Sequence, residues 1–109
     1  MKENLMKAIT EELEFECEIG DYKVSCQSSD TNRLIISIID NDNEFDITTI
    51  DVRIGKIVNN NEHSVGLQVT YKKSVWNKAY RSFGTLIDCS DEVIGFLKEC
   101  TISVIKRLD

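Results

Sequence analysis

Residues 14–26 read Glu14-Phe15-Glu16-Cys17-Glu18-Ile19-Gly20-Asp21-Tyr22-Lys23-Val24-Ser25-Cys26. Up to Ile19, apolar residues alternate with carboxylates. That is the period of a strand with one buried face and one wet face. Gly20-Asp21 interrupts the run. Tyr22, Val24 and Cys26 then resume it against Lys23, Ser25 and Gln27. A two-residue loop that begins with glycine suits a type II′ hairpin. The stretch predicts a hairpin with an antiparallel sheet around it.

Upstream the period changes. Leu5, Met6, Ile9 and Leu13 fall on one helical stripe, with Lys7, Glu11 and Glu12 outside it, which predicts a helix over residues 3–13. Downstream, Ser28 to Asn32 reads as a polar loop. Leu34 to Ile39 is apolar at every position but Ser37, the pattern of a central strand covered on both faces or lying at an interface. Asp40-Asn41-Asp42-Asn43 is a turn. Phe45 and Ile47 open the next strand, but the apolar phase then moves to Ile50, Val52 and Ile54, so a bulge is expected near Thr48-Thr49. A turn at Asn59-Asn60-Asn61 precedes the alternation of Val65, Leu67, Val69 and Tyr71. Residues 72–81 read either as a long hairpin loop or as a helical turn around Val75 to Lys78. Phe83 to Ile87 reads as a last strand.

Ser90 fits an N-cap, with Asp91 and Glu92 in the first turn, where the helix dipole favours acids. Val93, Ile94, Leu97, Cys100, Thr101, Val104, Ile105 and Leu108 form a broad helical stripe, and Lys106 and Arg107 close it. Gly95 either weakens this helix or lets it approach a strand closely. The expected fold class is α+β. It is a five- to six-stranded antiparallel meander with the N-terminal and C-terminal helices packed on one face, in a single domain over residues 1–109.

The chain has 109 residues, 41% hydrophobic and 29% charged, enough for one domain with a real core. Residues 1–51 carry thirteen acids against four bases, a net of −9, and residues 52–109 carry six acids against nine bases, a net of +3. Such asymmetry shapes the encounter with charged partners more than it shapes the fold. No apolar run approaches the length of a membrane span, and the N-terminus lacks the apolar core of a signal peptide. Cys17, Cys26, Cys89 and Cys100 have no metal-site spacing. They read as reduced thiols of a cytoplasmic protein, or, for Cys17 and Cys26, as a bridge across the hairpin.

Nothing in the sequence points to catalysis. The glycines at 20, 55, 66, 84 and 95 are scattered, so no phosphate loop exists, and no nucleophile or zinc-hydrolase motif occurs. His63 follows an Asn-rich turn with no partner defined. Asp40-x-Asp42-x-Glu44-x-Asp46 suggests a calcium loop, but Phe45 stands where such a loop needs glycine and Asp51 where it needs glutamate. The expectation is a non-enzyme with no cofactor and no metal.

Two surfaces remain. Lys72, Lys73, Lys78 and Arg81 interleave with Tyr71, Trp76 and Tyr80, the mixture single-stranded nucleic acid sites use. The acidic total argues against direct nucleic-acid binding. Trp76 and Tyr80 then read as protein-binding anchors. Glu14, Glu16 and Glu18 share a strand face, and Asp40, Asp42, Glu44 and Asp46 crowd one turn and its exit strand. These rows either keep an edge strand soluble and unpaired, or meet a basic groove on a partner in place of phosphates.

Asp21-Tyr22-Lys23-Val24, Ser29-Asp30-Thr31-Asn32, Leu34-Ile35-Ile36 and Asn41-Asp42-Asn43-Glu44-Phe45 together resemble the three-stranded core of the small acidic phage anti-CRISPR inhibitors. These occupy the DNA-recognition groove of the type II RNA-guided nuclease. The resemblance spans residues 21–47, and the short leading helix agrees with it. That family turns to helices after its third strand, whereas this chain reads as further strands. The resemblance implies a phage inhibitor whose partner is a basic nucleic-acid-binding protein, met through Asp40, Asp42, Glu44 and Asp46. A second expectation, drawn from the two-sided strand and from Trp76 and Tyr80, is an immunity- or chaperone-type module that pairs with one effector or with itself as a homodimer. Neither expectation involves a membrane.

Overall fold

β4, Asn43–Asn59, is the longest strand and organises the rest. In the computed structural model, which describes residues 2–59, 62–81 and 89–108, its first half pairs with β3 and its second half with β5. The elements run α1 (Lys2–Glu12), β1 (Phe15–Ile19), β2 (Tyr22–Asp30), β3 (Arg33–Asp40), β4, β5 (Glu62–Tyr71), β6 (Ser74–Tyr80) and α2 (Ser90–Leu108). All pairings are antiparallel between sequence neighbours, in the order β1-β2-β3-β4-β5-β6. The sheet curls into a half-barrel, giving the predicted α+β meander. β4 outruns the neighbour on each side, so the two halves of the sheet are offset along a 49 Å long axis.

The opening hairpin forms as its sequence reads. Ile19 pairs with Tyr22, and Gly20 takes φ 58° while Asp21 stays out of the positive region, as a type II′ loop requires. Val24, Cys26, Leu34, Ile36, Ile38, Ile50, Val52, Ile54, Val65, Leu67 and Val69 are buried on one face of the sheet. Ile9 and Leu13 of α1 and Val93, Leu97, Cys100, Val104 and Ile105 of α2 join the same core. α1 is also tied down by its buried Thr10, whose hydroxyl donates to the Thr31 carbonyl at 2.8 Å. Lys98 of α2 lies over the Phe15 ring, and Arg107 lies over Trp76 and bonds the Ser74 hydroxyl. The helix thus reaches strands at both edges of the sheet. Among the described residues no helix is long and apolar enough to cross a membrane.

Several expectations are corrected. The loop at residues 28–32 is mostly strand: β2 continues to Asp30, Ser29 forms a bulge, and only Thr31-Asn32 turns. No bulge occurs at Thr48-Thr49, because Ile38↔Thr48 and Ser37↔Thr49 pair in unbroken register. The irregularity lies earlier, where Ile39 pairs with Ile47 but Asp40 with Asn43, leaving residues 44–46 outside the ladder. β3 is central in order but buried on one face only, with Ile35, Ser37 and Ile39 half-exposed on the other. Residues 72–81 are neither a long loop nor a helical turn. Lys72-Lys73 makes a tight turn, with Lys72 at φ 51°, and β6 follows. The strand expected at Phe83 to Ile87 lies outside the described residues.

The first α2 bond runs from the Val93 amide to the Cys89 carbonyl at 3.0 Å, so Cys89, not Ser90, is the capping residue. Leu108 leaves the expected stripe and is exposed, while Thr101 is buried with its hydroxyl on the Leu97 carbonyl. Gly95 serves no close approach, since a Cβ built there meets nothing within 4 Å. Gly95→Ala should therefore stabilise the protein by up to about 1 kcal/mol, the propensity difference alone. Urea denaturation checks this, and a loss of stability would show a contact not visible at that position.

All four cysteines are free. Cys26 faces Phe15 and Cys17 faces Val24, so the two thiols are diagonal neighbours rather than a facing pair. Diagonal partners sit roughly 7–8 Å apart, beyond the usual span of a disulfide.

Candidate functional site

The Gly20-Asp21 and Asn41-Asp42 turns lie side by side. Tyr22 pairs with Asp40, and the Asn41 amide donates to the Asp21 carbonyl at 3.0 Å. The meander thereby gathers Asp21, Asp40 and Asp42, with Glu44 and Asp46 following, at one end of the sheet. Asp40 is half-buried and accepts the Asp42 amide at 2.9 Å, which shapes the turn. Asp42, Glu44 and Asp46 are exposed.

The glutamates of β1 do not act as one row. Glu18 stands opposite Lys23 and Glu16 opposite Ser25, both exposed on the edge strand. Glu14 sits before β1 and is occupied, accepting the Ser28 amide at 2.8 Å and the Ser28 hydroxyl at 3.1 Å. Its carboxylate holds α1's exit to the end of β2.

Two apolar residues at the acidic end open β4, as expected. Phe45 is 95% exposed and Ile47 53% exposed. Ile47 falls on the face opposite Ile50, Val52 and Ile54, because the register runs unbroken from Ile47 to Arg53, and Phe45 lies in the irregular stretch just before it. The signal was in the parity: the buried positions of β4 are even and Ile47 is odd.

The aromatic residues of β5 and β6 turn the other way. Tyr71 is buried and Trp76 half-buried beneath Arg107. Tyr80 is 8% exposed, not the surface ring expected, since it pairs with Val65 on the core face. Its hydroxyl is buried with no partner among the described residues, and burial, then Glu92, then Cys89 push its pKa up. The bases Lys72, Lys73, Lys78 and Arg81 are exposed, with Lys72 over the Tyr71 ring and Arg107 over the Trp76 ring. The side chain of His63 lies outside the described residues. No group of three His, Cys, Asp or Glu among the described residues is placed to hold a metal ion.

Farther along β4, on the face that carries Ile47, lies a cavity of about 550 Å³. Gly55 and Gly66 pair across its floor, with Ala79 beside them. Asn32, Arg53, Gln68, Asn77 and Lys78 also line it. Asp51 accepts from Arg33 at 2.5 Å and from Arg53 at 3.1 Å, fixing the cations at one side. Sequential strand order thus turns the linear charge asymmetry into a spatial one, acidic at the β1–β4 end and basic toward β5, β6 and α2.

No family model, curated protein or solved structure matches this chain.

Proposed function

We propose that the chain is a small non-enzymatic inhibitor of phage or mobile-element origin that binds a basic nucleic-acid-processing protein through the acidic end of its sheet. The observation that carries this reading is the adjacency of the two turns, which concentrates Asp21, Asp40, Asp42, Glu44 and Asp46 around the exposed Phe45. A dense anionic end of this kind competes with phosphates for a cationic groove and speeds encounter with it. In this reading both helices cover the core face, and the anionic end stays open. The resemblance to anti-CRISPR inhibitors supports the choice of partner over β2, β3 and the start of β4. Beyond residue 47 the chain adds β5 and β6 where that family has helices, so the charged surface carries more of the argument than the resemblance.

The test is cleavage of target DNA by a guide-loaded type II nuclease, with the protein added before the DNA. Inhibition should weaken steeply with added salt, because the screening length is about 10 Å at 0.1 M. Combined Asp42→Lys, Glu44→Lys and Asp46→Lys should raise the inhibitory concentration roughly ten- to a hundredfold. These side chains are exposed, so the melting temperature should stay. Equal inhibition by the reversed variant would sink the reading.

Phe45 and Ile47 favour a second reading, an immunity- or chaperone-type module that binds one effector protein. Exposed aromatic anchors of this type dominate protein interfaces. Under that reading Phe45→Ala abolishes binding at every salt concentration, whereas the charge reversals change mainly the association rate.

A further inference from the structure

Phe45 lies near the start of β4 and Gly55, in the floor of the cavity, ten residues along it. A strand advances about 3.3 Å per residue, so they are separated by roughly 33 Å along β4. Phe45 cannot fill the cavity of its own chain. We propose that it fills the cavity of a second copy, in a head-to-tail contact. The occupant and the receptor match in three respects. The cavity floor pairs Gly55 with Gly66, two residues without side chains, and a Cβ built at Gly55 meets nothing within 4 Å. An aromatic ring laid over such a floor covers the backbone that glycine leaves open. The ring offered is almost wholly exposed, at 95%. The charges are complementary: Glu44 and Asp46 flank the ring, and Arg53 lines the cavity.

A contact that joins unlike surfaces does not close on itself as a two-fold dimer does. It propagates into chains or rings. One ring in one cavity also buries less than a standard interface, so the association is weak and concentration-dependent. This contact is distinct from inhibitor binding and stands or falls without it, although both use the acidic end.

The test is sedimentation velocity on the full chain over a wide range of concentrations. The wild type should show a rising sedimentation coefficient. Phe45→Ala, which removes the ring, and Gly55→Val, which fills the cavity, should each remain monomeric. Both should keep the wild-type melt, since Phe45 makes no core contact and Gly55 has open space above it. The deciding experiment mixes the two variants. Phe45→Ala retains an empty cavity and Gly55→Val retains a ring, so an equimolar mixture should give a discrete one-to-one dimer and nothing larger. A wild type that stays monomeric at high concentration overturns the proposal. So does self-association that survives Gly55→Val, or a mixture that remains monomeric.

Discussion

A chain lacking residues 90–109 is expected to lose its cooperative melt and to bind hydrophobic dye, and Leu97→Ala alone should cost about 2–5 kcal/mol. Leu97 is fully buried in the same core as Val93, Cys100, Val104 and the sheet residues Val24, Ile36 and Val52. A small domain has only about 5–15 kcal/mol in total. One cavity at Leu97 therefore takes a large share, and loss of the whole helix removes Val93, Leu97, Cys100, Val104 and Ile105 from the shared core. Thermal and urea unfolding of Leu97→Ala, with circular dichroism of the truncated chain, measure this. A truncated chain with intact β signal and a sharp transition would make α2 an appendage.

The second large effect appears at alkaline pH. Burial, with a smaller contribution from Glu14, pushes the Cys26 thiol up to about 12, and burial, with Glu99, pushes Cys100 up to about 11. The folded protein therefore holds these protons more tightly than the unfolded chain, whose thiols titrate near 9.0. The resulting stabilisation is complete below about pH 9 and is lost as pH rises toward 11 and 12. Each unit of difference is worth about 1.4 kcal/mol. Between pH 9 and 11, under reducing conditions, the wild type should lose several kcal/mol that Cys26→Val with Cys100→Ala keeps. Lysines and tyrosines titrate in both proteins, so the difference between them isolates the thiols. Parallel pH profiles would show that these thiols ionise without penalty.

Where residue pattern and packing demand agree, the sequence was enough. The alternation through Phe15, Cys17 and Ile19, the glycine-led loop and the apolar stripe of α2 each reappear in the structure. β6 was hidden because its two faces do not differ in kind. Val75 points outward, and Lys78 shares the inner face with Trp76 and Tyr80. Phe45 and Ile47 open β4 as their pattern reads, but only the partner register reveals which face Ile47 occupies. The acidic end was half legible. The charges are plain in the chain, but that Asp21 joins Asp40 and Asp42 depends on two turns meeting through a backbone hydrogen bond. That Glu14 leaves the group depends on Ser28, fourteen residues away.

The strictly sequential strand order also governs how the protein emerges from the ribosome. Each hairpin needs only the residues just made, so β1 to β6 can assemble in order, with little delay from loop closure. Their apolar side chains, however, share a core with α2, which is made after all six strands. At about 5–20 residues per second, α2 takes roughly one to four seconds to translate. During that interval a nascent half-barrel presents Val24, Ile36, Val52 and Leu67 to water or to a chaperone. Premature termination between Tyr80 and the start of α2 would yield not a smaller protein but an aggregation-prone sheet.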